Sequence, residues 1–159
     1  MKTKYLFPHS FKRIGWLIFV PFTIASIIRL CIDWELDFLN VNVFYFIYDT
    51  FSRSGTTYFD FVENNITDEI LMIALIIGGL FTAFSKEKIE DEMVEKIRLE
   101  SLVWATYFNY ALLLISIIFI YGNSFFTALL VNIASLLIFF IVRFHWMLYK
   151  SSKLTTDEE

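Results

Sequence analysis

Residues 70–121 read "ILMIALIIGGLFTAFSKEKIEDEMVEKIRLESLVWATYFNYALLLISIIFIY". Two almost pure hydrocarbon runs enclose the block 85–102, in which six acids and four bases fall within eighteen residues. A run of about 20 apolar residues is long enough to cross roughly 30 Å of lipid as a helix. The charged block between two such runs therefore reads as a polar turnaround. Working outward, "IGWLIFVPFTIASIIRLCI" (14–32) and "FFTALLVNIASLLIFFIVRFHWML" (125–148) supply two further runs.

Composition supports the same class. The chain is 57% hydrophobic and 19% aromatic over 159 residues, too apolar for a small domain to hide from water. The runs are continuous and do not alternate, which favours helices over a barrel. The expected fold is all-α integral membrane, with four transmembrane helices at about 14–32, 68–84, 102–121 and 125–148 in a single membrane domain. Residues 70–84 give only about 22 Å of helical rise, so that span relies on snorkelling at its ends. The first run is too long for a signal-peptide core and no A-x-A-like site follows it, so an uncleaved first span is expected. Cys31 is the only cysteine, which excludes an intramolecular disulfide and a cysteine-based metal site.

Lys and Arg set orientation. All but Arg29 and Arg53 of the thirteen fall in the N-terminal segment, the charged block or the C-terminal end. Both termini are thus expected in the cytosol, with residues 85–100 a cytosolic amphipathic helical elbow and 149–159 a cytosolic tail. The loop 33–67 lies outside. Trp16, Trp104, Trp146 and Tyr149 mark the inner boundary, and Trp34, Tyr45 and Tyr121 the outer one. Within the loop, "VNVFYFIY" (41–48) alternates with Val41, Val43, Tyr45 and Ile47 on one face, and 52–61 holds a second alternating piece after a turn at Gly55. A small aromatic lid is expected, either a short hairpin or a re-entrant piece. Thr67, before Asp68 and Glu69, reads as the N-cap of span 2.

Within the spans, Ala74, Gly78 and Thr82 recur every four residues, with Gly79 alongside. Such a stripe lets backbones approach closely. It reads either as a homodimer seam or, preferably, as packing within one subunit. The turn "YGNS" (121–124) makes spans 3 and 4 an antiparallel hairpin. Counting inward from that turn sets Asn109 at the depth of Ser135, with Asn132 nearby. An amide in hydrocarbon needs a partner, so Asn109 is expected to hydrogen-bond to span 4. The same count sets Glu100 opposite Arg143, an expected clamp at the hairpin base. On a helix, Ile89, Met93, Val94 and Ile97 form one apolar stripe of the charged block.

Spans 2 and 3 carry no ionisable group but tyrosine, the two histidines are far apart, and no phosphate loop or dinucleotide fingerprint is present. No catalytic residue, metal site or cofactor is expected. The segments "ENNITDEI", "FSKEKIEDEMVEKIRLESLVWATYFNYALLL" and "IVRFHWMLYKSSKL" resemble a family of small four-helix bacterial inner-membrane proteins, whose genes often lie beside small helix-turn-helix regulators. The resemblance implies the four-span fold and no activity. The expected partners are the lipid bilayer and a protein on the cytosolic side, with no nucleic acid, and homo-oligomers remain open. The leading expectation is a non-enzymatic multi-pass membrane protein with a signalling or scaffold role through its cytosolic helix. The alternative is a small transporter or pore-forming oligomer with a polar path past Asn109 and Asn132.

Overall fold

The computed structural model describes residues 5–32, 36–49 and 56–156. Trp34, Arg53 and the expected turn at Gly55 lie outside the described residues. Four helices account for most of the chain: α1 (His9–Cys31), α2 (Thr67–Phe84), α3 (Glu92–Phe119) and α4 (Asn123–Thr156). All four are long and apolar enough to cross a membrane. Between α1 and α2 a 3-10 turn (Asp37–Leu39) leads into an antiparallel hairpin of β1 (Asn40–Asp49) and β2 (Thr56–Asn65). The aromatic loop is thus a hairpin with ten-residue arms.

In space the helices run α1, α2, α4, α3, with α2 and α4 as the central pair. The core lies where these two meet the first half of α3. Phe140, Ile141 and Phe144 are almost fully buried there, with Leu75, Ala83, Ile97 and Ala105. Phe84 stacks on Phe140 at 5.4 Å. The outer helix surfaces are lined by Leu17, Ile24, Leu114, Ile118, Ile133 and Val142, all exposed. Apolar side chains on the outside and a thin core suit a solvent of lipid chains.

The small-residue stripe faces α1. A Cβ on Gly78 would stand 2.8 Å from the Phe19 backbone nitrogen, and one on Gly15 would stand 2.6 Å from the Thr82 nitrogen. Thr82 is buried, its hydroxyl donating to the Gly78 carbonyl. Gly15 and Gly78 therefore form a backbone-to-backbone crossing, which is packing within one subunit. Gly79 differs, since its added Cβ would meet the end of Leu137, a movable side chain, at 3.0 Å.

Four expectations need correction. Helix does not run on from α2 through the charged block: α2 ends at Phe84 and α3 starts at Glu92. The backbone groups freed there are taken up elsewhere. The Phe7 N–H donates to the Phe84 carbonyl and the Lys86 N–H to the Phe7 carbonyl, so residue 7 pairs with residues 84–86 like a strand. Asp91 then caps α3, its carboxylate accepting from the Val94 N–H at 2.7 Å, the usual role of an aspartate before a helix. The second correction is at the other end of the chain, where α4 continues through residues expected as a tail, as far as Thr156.

Thirdly, Thr67 lies inside α2 and does not cap it; Asn65 accepts from the Thr67 N–H at 3.0 Å instead. Lastly, the apolar stripe divides: Ile97 is 7% exposed in the core, whereas Met93 is 50% and Ile89 75% exposed. Ile89 lies before the helix starts, so it shares no helical face with the other two.

Replacing Gly78 by alanine forces two backbones apart and is expected to cost about 1–3 kcal/mol. Gly79→Ala is expected to cost less than Gly78→Ala, since side chains (the Leu137 terminus and the Phe19 ring at 3.3 Å) must give rather than backbone. Thermal unfolding of both variants in the same detergent checks this order, and a Gly79→Ala variant as damaged as Gly78→Ala would refute it.

Candidate functional site

The chemistry-bearing side chains gather in three places. The first is mid-length on α3 and α4. Asn109 Nδ2 donates to Asn132 Oδ1 at 3.2 Å, and Asn132 Nδ2 donates to the Asn109 backbone carbonyl at 3.1 Å. The Ser135 hydroxyl donates to Asn109 Oδ1. The two amides are thus linked by one side-chain bond, by a bond from Asn132 to the α3 backbone and by the Ser135 hydroxyl. Asn109 and Ser135 are buried, and Ala105 and Ser101 continue the same buried face of α3. The arrangement joins two helices.

The second place is the end of the bundle that carries the basic residues. Three elements meet there: the start of α1, the bend 85–91 and the start of α3. Lys12 pairs with Glu87, and Arg98 pairs with Glu90. His9 Nδ1 donates to the Lys86 carbonyl at 2.8 Å. Arg98 is 7% exposed, and its guanidinium lies 5.1 Å from the centre of the Phe144 ring. An arginine can tolerate such a place because it is weakly hydrated and stacks on aromatic faces. Trp16 and His145 meet edge to face at 5.2 Å beside it, and His145 Nδ1 donates to the Ile141 carbonyl.

Glu100 and Arg143 are not brought together. Glu100 reaches Lys96 at 3.9 Å, and Arg143 lies over Trp104 at 4.7 Å. Their depths along the hairpin match, but their directions do not. The inward face of α3 carries Ile97, Arg98, Ser101 and Ala105, and Glu100 is turned about 100° from Ser101. The buried cation at this end is Arg98, paired with the more exposed Glu90, a pair that sequence reasoning missed. The signal was available: stepping back from Asn109 by four and then four residues gives Ala105 and Ser101, and three more gives Arg98.

The third place is the hairpin root. Asn65 Nδ2 donates to the Leu36 carbonyl at 3.0 Å and to Asn40 Oδ1 at 2.8 Å. Arg29, near the end of α1, pairs with Asp68 at 3.0 Å. That ion pair accounts for a basic residue among acidic neighbours. Asn40, Glu63, Asn64, Asn65, Asp68 and Glu69 line an open polar depression of about 530 Å³. Among the described residues, no three His, Cys, Asp or Glu side chains stand close enough to hold a metal ion.

Two outcomes are expected of variants here. Glu90→Gln keeps shape but leaves the Arg98 charge buried and unpaired, at a cost of about 3 kcal/mol. Adding Arg98→Met to it should return most of that stability, because the pair is then removed together; denaturant titration in detergent distinguishes the two. For the amide pair, Asn109→Leu and Asn132→Leu are expected to be non-additive by about 0.6 to 1.7 kcal/mol. A double-mutant cycle reads this directly, and additive losses would mean the two amides act independently. Comparison with protein-family models, with curated proteins and with solved structures finds no match to this chain, so its function is argued from the geometry above.

Proposed function

We propose that this chain is a non-enzymatic, multi-pass protein of a bacterial inner membrane, with its basic end in the cytosol, and that it works by holding a protein partner at that end. The observation that carries this reading is the presentation of Ile89 and Met93. Both are exposed, and the bend that bears Ile89 is held on each side by an ion pair, Lys12–Glu87 before it and Glu90–Arg98 after it. A large apolar side chain presented on a held bend loses little freedom on docking. The surrounding block has more acids than bases, which disfavours anionic lipid headgroups as the occupant and suits a protein surface of mixed charge. A scaffold or signalling role fits a protein that offers such a contact. The inner-membrane location rests on the four apolar helices, the one-sided basic residues and the family resemblance. Transport past Asn109 and Asn132 is the weaker alternative, because their bonds join α3 to α4.

Substituting Ile89→Glu together with Met93→Glu leaves both ion pairs and the buried Ile97 in place. Partner recovered from native membranes in mild detergent is expected to fall at least tenfold, the effect of about 1.4 kcal/mol lost at one docking contact. Equal recovery with the double variant would refute the assignment of this surface.

A further inference from the structure

The hairpin at the opposite end of the bundle carries an apolar face that is exposed among the described residues. In the β1–β2 register, Phe44 stands opposite Phe61, and the same spacing sets Phe46 against Phe59. Their rings are contiguous: Phe44 lies 5.3 Å from Phe61 and 5.4 Å from Phe46, and Phe46 lies 5.7 Å from Phe59. All four are 48% to 68% exposed. The strands pair with each other and make no extended contact with any helix. Phe59 moreover holds φ at 54°, a left-handed conformation that an aromatic residue rarely adopts and that persists only where the surroundings enforce it.

A two-stranded hairpin on its own is marginal in water and gains independent stability when its apolar face is packed. From these observations we infer that the phenylalanine face of the hairpin is a docking surface for the same face of a second copy of this chain. Area supports that occupant. At about 200 Å² for each phenylalanine, the exposed part of the ladder is about 500 Å² per copy. Two such faces together bury about 1,000 Å², the size at which a specific protein interface begins.

Chemistry supports it too. The ladder is phenylalanine throughout, a dry surface without the polar handle that places Tyr and Trp in headgroup layers. The opposite face mixes Val43, Tyr45 and Ile47 with Tyr58 and Asp60, and Asn42 and Glu63 border the ladder towards the root. An apolar centre with a polar border is the anatomy of an interface. Symmetry is compatible as well. Two copies inserted in the same direction are related by a two-fold axis along the membrane normal. Two projecting hairpins can then meet face to face in the aligned manner of packed sheets.

The test uses the full chain with Cys31→Ser and a single cysteine, Asn42→Cys, at the border of the ladder. Native membranes are broken into fragments open on both sides, so that the result depends neither on which side the hairpin occupies nor on any partner at the basic end. Disulfide oxidation is expected to give a covalent species with twice the mass of the chain. Phe46→Ser with Phe61→Ser is expected to lower its yield at least tenfold, while Phe46→Leu with Phe61→Leu and the opposite-face Tyr58→Ser preserve it. The Leu pair separates loss of the contact from loss of the hairpin. A species of single-chain mass only, or a dimer indifferent to the Ser pair, overturns the inference. So does quenching of a Phe46→Trp variant by brominated lipid, which would make the bilayer surface the occupant.

Discussion

Where α1 crosses α2 at Gly15 and Gly78, the two backbones come so close that a methyl group on either residue would strike a main-chain nitrogen. Lipid chains are as apolar as leucine, so helices in such a solvent gain little from hiding greasy side chains and depend on close packing. The remaining architecture follows from this crossing. It brings the start of α1 beside the end of α2, which lets residue 7 pair with residues 84–86 and lets Lys12 reach Glu87. At the other end it brings Arg29 to Asp68, and between them the hairpin leaves the bundle through a root organised by Asn65. Because α1 occupies one side of α2, the other side is free for α4, whose Phe140 and Phe144 fill the core.

The four helices were legible from hydrocarbon runs because a span is a local property of about 20 residues. The hairpin was legible from its alternation for the same reason. The bend at 85–91 was not, although no Gly or Pro interrupts 80–121. What ends α2 is a bridge to Phe7, almost eighty residues away in sequence, and Asp91 is one acid among six with nothing local to single it out as a cap. Gly15 could have been noticed, since an isolated glycine within a helical run usually has a packing reason. Its partner, the Thr82 backbone, could not have been named from sequence.

At the candidate sites, the amide contact was readable and the ion pair was misassigned, for one geometric reason. Counting residues from the "YGNS" turn measures height along a hairpin but not direction around a helix. Height sufficed for Asn109, which lies on the buried face of α3 with Ala105 and Ser101. It misled at Glu100, which is level with Arg143 but points elsewhere, leaving Arg143 to stack on Trp104. A charge at a helix end can only pair inward if its phase agrees with the packed face, and Arg98 has that phase while Glu100 lacks it.

The two ends of the bundle consequently solve different problems with different chemistry. At the basic end, a buried cation is balanced by Glu90 and covered by Phe144. Removing water from that pair raises the cost of separating it, so Glu90 is fixed, and with it the bend that presents Ile89. At the hairpin end, a polar depression marks the root, and the phenylalanine rings are carried out beyond it. There the apolar surface lies outside the core that the helices make for themselves. Four contiguous, exposed phenylalanine rings on one hairpin face are a patch of the kind that marks an interaction surface.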